Sequence, residues 1–223
     1  MSNPSSEQFE VLSNSLRVFP EEILRLNYFL QEVNDPDEGI SNIEIACVNV
    51  FNQLYAMMCT LKDGGHLASI YEHDAITTIL CIRHVLQHQG GKIKNNLRDA
   101  LKIQGVEGFS LVNYGTSNSE VVVMPFYINA SWLLDGIQSS NNANRLPSVK
   151  SYLMIEKINS DLEGLSKSLS GTYLGVMPLI TEAMRQLCAN YSRCFAPTGF
   201  DSSVYYSHFR VVTPLDTNDY AIT

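Results

Sequence analysis

The sequence predicts a mainly α-helical bundle that carries a small antiparallel β-sheet, in one domain over residues 1–223. Three observations predict it. Apolar residues recur at helical spacing through most of the chain. β-Branched and aromatic runs are confined to two late stretches, about 109–127 and 204–213. Gly, Pro, Asn and Asp clusters punctuate the periodic segments at lengths that suit helices. With 45% hydrophobic and 17% charged residues, the chain has enough apolar mass for a core.

Taken in order, Ser5-Ser6-Glu7 is expected to cap a first helix carrying Phe9, Leu12 and Leu16. Pro20-Glu21-Glu22 then opens a second, with Ile23, Leu26, Phe29 and Leu30 inward. Asn34-Asp35-Pro36-Asp37 reads as a turn. A long helix from about Gly39 to Leu61 follows, and Gly64-Gly65 ends it. The stretch from Ile70 to Gly91 reads as one helix, followed by a shorter polar one, KIKNNLRDALKI.

Phe109–Val112 and Val121–Tyr127 then read as a β-hairpin, with Pro125 marking an edge or a strand end. Asn129-Ala130-Ser131 caps a short helix through Trp132, Leu133 and Leu134. SSNNANRLP is the clearest surface loop. Val149 to Leu165 suggests a long helix ending near Ser170-Gly171. Another runs from about Tyr173 to Arg193, with Pro178 in its first turn or as a kink. The tail VYYSHFRVV alternates like a strand and is expected to join the hairpin.

A net charge of −8 argues against a surface coated for nucleic acid, although it leaves room for a local basic site. The five cysteines include no CxxC pair and mostly lie in apolar helical runs, so reduced buried thiols are expected. The N-terminus lacks a basic start and an apolar core, and no apolar run is long enough to span a membrane. A cytoplasmic protein is the expectation.

The helix at 70–91 holds the candidate chemistry. On a wheel of about 100° per residue, Ala75, Ile76, Ile79, Leu80, Ile82 and Leu86 form one apolar stripe, and Arg83 falls within it. A burying face does not normally carry an arginine unless something pairs with it. His84 and His88 lie one turn apart beside the stripe. Lys92, Lys94, Arg98 and Lys102 make a basic stretch just beyond, which could contact a phosphate backbone or simply be a solvated face.

Arg83-His84-Val85-Leu86-Gln87-His88 resembles the signature of HEPN-superfamily domains: an arginine, a polar residue, about three more, then a histidine near a helix end. The resemblance implies a helical bundle and metal-independent cleavage of RNA, as used in toxin or defence systems. It implies that Arg83 holds the phosphate, that His88 moves a proton, and that His84 orients the pair. It implies no metal and no cofactor. It also implies a homodimer in which two motifs meet, and an antitoxin protein as a possible partner. Where the nucleotide-modifying toxins of the family carry a tyrosine two residues after the histidine, this chain has Gly90.

Five residues along a continuous helix turn Arg83 and His88 about 140° apart. They can converge on one phosphate only if the helix breaks or a second copy contributes. The alternative is a non-catalytic binding or assembly protein. In it Arg83 pairs with a carboxylate such as Glu44, Glu72 or Asp74, and His88 caps helix carbonyls. A metal site on His73, His84 and His88 is a further possibility, without the glutamate of an HExxH pattern.

Overall fold

The computed structural model describes residues 3–88, 109–115 and 126–223. These form eight α-helices and a four-stranded mixed sheet. The chain divides into two compact units. The first comprises Met1–Ile76 and Ala183–Thr213, the second Thr77–Glu182 and Pro214–Thr223.

In the first unit, α1 runs unbroken over Pro4–Tyr28, capped by the Asn3 side chain on the Ser5 N–H. The expected restart at Pro20 does not occur, because Pro20 lies inside α1. Proline there removes one backbone hydrogen bond and crowds the carbonyl four residues back. Phe9, Leu12, Leu16 and Phe19 sit on a single buried face that reaches to Pro20, so packing carries the helix through. Pro20→Ala should therefore stabilise the protein by about 2 kcal/mol, read as a higher urea midpoint at unchanged slope. An unchanged or lower midpoint would show that the helix has fully accommodated the ring.

A π-helical turn, Phe29–Val33, follows α1 and ends at Asn34, whose φ of 56° is left-handed. Leu30 is exposed rather than inward. Asp35 caps α2, Pro36–Asp63, by accepting from the Glu38 N–H, and Pro36 fits the first turn. Gly64 and Gly65 close it, Gly65 with a φ of 75°. Ile43, Cys47, Val50, Phe51, Leu54, Met57 and Met58 are buried, as their spacing predicts. The tail expected as a strand at 204–213 is instead α8, Phe200–Val211. Phe9, Phe195 and Tyr206 anchor it as an aromatic cluster, with Phe9 stacked on Phe195 at 4.4 Å.

In the second unit the sheet order is β2-β3-β1-β4. The strands are β1 Ser110–Tyr114, β2 Tyr127–Asn129, β3 Thr172–Gly175 and β4 Tyr220–Ile222. The expected hairpin is corrected: β1 and β2 do not pair with each other, because β3 lies between them. β3 runs parallel to β1 with Val112 opposite Leu174, and antiparallel to β2 with Ile128 opposite Leu174. The sheet is thus mixed, and its C-terminal strand is β4, antiparallel to β1. The expected strand at Val121–Tyr127 lies mostly outside the described residues. Tyr127 Oη crosses β3 to donate to Asn113 Oδ1 at 2.7 Å. It passes over Gly175, whose missing side chain leaves room for the crossing.

Asn129 caps α4, Ala130–Gln138, as expected, accepting from the Trp132 N–H. The single helix expected from Val149 to Leu165 is two, α5 Leu146–Tyr152 and α6 Ile155–Gly164, because Met154 adopts a left-handed φ of 55° between them. The helix α7, Met177–Tyr191, begins after β3, and Pro178 lies in its first turn.

No described helix is long and apolar enough to cross a membrane. Cys47, Cys81 and Cys188 are buried free thiols. Burial pushes the Cys81 thiol up to about 11 and that of Cys188 to about 12, so neither is a ready nucleophile.

Candidate functional site

The helix α3, Asp74–His88, carries the motif. It starts four residues later than expected, because Ile70–His73 form turns. Every residue from Ala75 to Ile82 is buried, as are Val85 and Leu86. The helix is therefore enclosed on most sides near its start and opens only towards its end. Arg83 and His84 are half-buried there, and Gln87 and His88 are exposed. α3 continues without a break through His88, so no kink brings Arg83 round to that histidine.

What the helix does bring together is His84 and His88. Their ring centroids are 4.3 Å apart with the planes tilted by 50°. Four residues on a helix differ by about 40° in direction, so both rings leave the same face. They line a depression of about 340 Å³ together with Val85, Gly136, Ser139, Ser140 and Asn141. Gly136, Ser139 and their neighbours come from the C-terminal end of α4 and the loop after it. That loop is held locally: Ser139 Oγ donates to the Asp135 carbonyl at 2.8 Å and Ser140 Oγ to that of Ile137 at 2.8 Å. The sequence marked SSNN as a surface loop, but no local signal placed it beside His84.

Burial lowers the His84 pKa below the ordinary imidazole value, and the positive charges of His88 and Arg83 lower it further. His84 is therefore neutral near pH 7, with a ring nitrogen free to accept a proton.

His73 takes no part in this cluster. Its Nε2 lies 2.9 Å from Tyr191 Oη, and that hydroxyl donates to Glu72 Oε2 at 3.2 Å. Glu72 Oε1 in turn accepts the Ala68 and Ser69 N–H groups. Burial raises the Tyr191 pKa to about 12, helped by the Glu72 charge. Lys92, Lys94 and Arg98, expected to contact RNA, lie outside the described residues.

No protein-family model, curated protein or solved structure matches this chain.

Proposed function

We propose that this chain is an HEPN-like, metal-independent endoribonuclease in which the His84–His88 unit moves the proton and Arg83 holds the phosphate. The observation that carries the reading is the pair of rings at 4.3 Å opening into a hydroxyl-lined depression, with His84 kept neutral by its surroundings. A neutral imidazole accepts the proton of a ribose 2′-hydroxyl as that oxygen attacks the adjacent phosphorus. The bond from phosphorus to the 5′ oxygen breaks, and that oxygen leaves with a proton from water. The products are a 2′,3′-cyclic phosphate and a free 5′-hydroxyl.

In-line displacement sets attacking and leaving oxygens on opposite sides of phosphorus, so the base and the acid must stand apart. Rings 4.3 Å apart are too close to bracket a phosphate between them. The histidines of one copy thus act on the attacking 2′ oxygen alone, and a homodimer brings the second copy's Arg83 to the phosphate. The same arrangement lets Arg83 of one copy reach the phosphate held at the histidines of the other. An activity of this kind suits a toxin or defence effector, kept in check by an antitoxin protein.

The test is to incubate the purified chain with RNA in excess chelator and to analyse the new ends. Cleavage leaving 2′,3′-cyclic phosphate, lost in His84→Ala and in His88→Ala, supports the reading. Activity that survives both substitutions, or that needs an added metal, removes it.

A second reading, a non-catalytic binding or assembly protein, is favoured by α8. Phe200, Val204 and Val211 stand on one side of that helix, and Phe200 and Val211 are 82% and 81% exposed. Absence of any RNA cleavage by a well-folded, dimeric protein would favour it.

A further inference from the structure

We infer that His84 and His88 form a bidentate site for a late first-row divalent transition ion, which switches the acid–base pair off. The inference rests on the proposed role of these residues only for its inhibitory consequence. The binding follows from geometry alone.

Two imidazoles four residues apart on a helix can share one ion from the same face. With metal–nitrogen bonds of about 2.0–2.1 Å and angles near tetrahedral or square, the two donor nitrogens must stand about 3 Å apart. Ring centroids at 4.3 Å with a 50° tilt need only rotation about the side-chain bonds to reach that spacing. The helix is continuous through both residues, so it presents the donors without a further ordering cost in the backbone. The depression in front of them leaves room for water or a small anion to complete the coordination.

Among the described residues no group of three or more His, Cys, Asp and Glu side chains converges as a structural metal site would require. The site is therefore a two-ligand, exchangeable one, open to solvent on its other positions. Imidazole donors without thiolates suit copper, nickel and zinc rather than magnesium or calcium. A bound ion would occupy the lone pair that each ring needs to accept a proton. Proton transfer would then stop without any change in fold.

Nickel(II) is the probe of choice, because copper(II) would oxidise the partly exposed thiols of Cys59 and Cys194. Titration of the full chain with nickel chloride, followed by calorimetry, should give one ion per chain. Binding should weaken at least tenfold in His84→Ala and in His88→Ala and stay unchanged in His66→Ala and His208→Ala. His84→Gln and His88→Gln should weaken it equally with unaltered circular dichroism, which separates lost ligation from lost folding. In parallel, nickel should inhibit any RNA cleavage over the concentration range in which it binds. Binding that is indifferent to both α3 histidines would overturn the site. Binding that requires them but leaves RNA cleavage untouched would overturn the switch. A protein without ribonuclease activity that still binds nickel through this pair would keep the metal site and reject the proposed function.

Discussion

Glu10→Gln should destabilise the first unit by about 2 kcal/mol at neutral pH and erase its stability gradient in acid. One oxygen of this carboxylate, Oε1, accepts from the Thr198 N–H at 2.5 Å, the Thr198 hydroxyl at 2.9 Å, the Gly199 N–H at 2.9 Å and the Ser202 hydroxyl at 2.6 Å. These bonds span nearly the whole chain and tie α1 to the start of α8. Burial pushes the carboxyl up, but the four hydrogen bonds together outweigh it and bring the pKa down from 4.5 to about 2.

A carboxylate whose folded pKa is depressed stabilises the protein fully above its unfolded value. That contribution is lost as pH falls from about 4.5 to about 2. The shift would correspond to about 3 kcal/mol if the group were sealed from solvent, and partial exposure reduces this to about 2. Glutamine keeps the shape and one acceptor oxygen but loses the charge that makes these bonds strong. Urea unfolding of both proteins at pH 7, 4 and 3 checks it. Parallel losses of stability in the two proteins over that range would show that the clamp carries no charge-dependent energy. Gly199 is part of the same device, since a Cβ there would stand 2.6 Å from Glu10 Oε2.

None of this clamp was legible in the sequence, because it joins residues almost two hundred positions apart. What was legible is local. Gly64-Gly65 and Asn129 are legible as helix boundaries because each supplies the cap or the dihedral that the boundary needs, whereas Asn34-Asp35-Pro36-Asp37 reads only as a turn and α2 starts within it, at Pro36. Pro20 reads locally as a helix start, and the buried face of α1 overrides that local meaning. The tail at 204–213 reads as a strand yet folds as a helix because its aromatic residues satisfy two periods at once. Tyr205 and Phe209 alternate as a strand would, yet they also stand one helical turn apart, and their rings stack at 5.9 Å. β3 is not legible in the sequence, because four residues between Gly171 and Met177 are too few to show a period and its parallel partner lies some sixty residues away. At the candidate site, the shared face of His84 and His88 follows from their spacing. The loop at Ser139–Asn141 that completes the depression does not, because no local pattern states what a loop packs against.

The largest effect expected on activity is from subunit complementation. Arg83→Ala and His88→Ala should each lower RNA cleavage at least about a hundredfold, the first through phosphate binding and the second through proton transfer. Helix α3 is unbroken between them, so about 140° of helical rotation separates the two side chains within one copy. If each active site draws Arg83 from one copy and His88 from the other, a mixed dimer of the two variants contains one intact site and one doubly damaged site. Random exchange of equal amounts makes half the dimers mixed, so activity should recover to about a quarter of the unsubstituted level. If both residues act from the same copy, a mixed dimer holds no intact site and mixing restores nothing. The exchange is followed by mixing before and after mild denaturation, with native mass spectrometry to count mixed dimers. Mixed dimers that form yet stay inactive would place Arg83 and the histidines in the same copy and end the two-copy site. A fully active monomer would end it too. Recovery near a quarter would place Arg83 of each copy at the histidines of its neighbour.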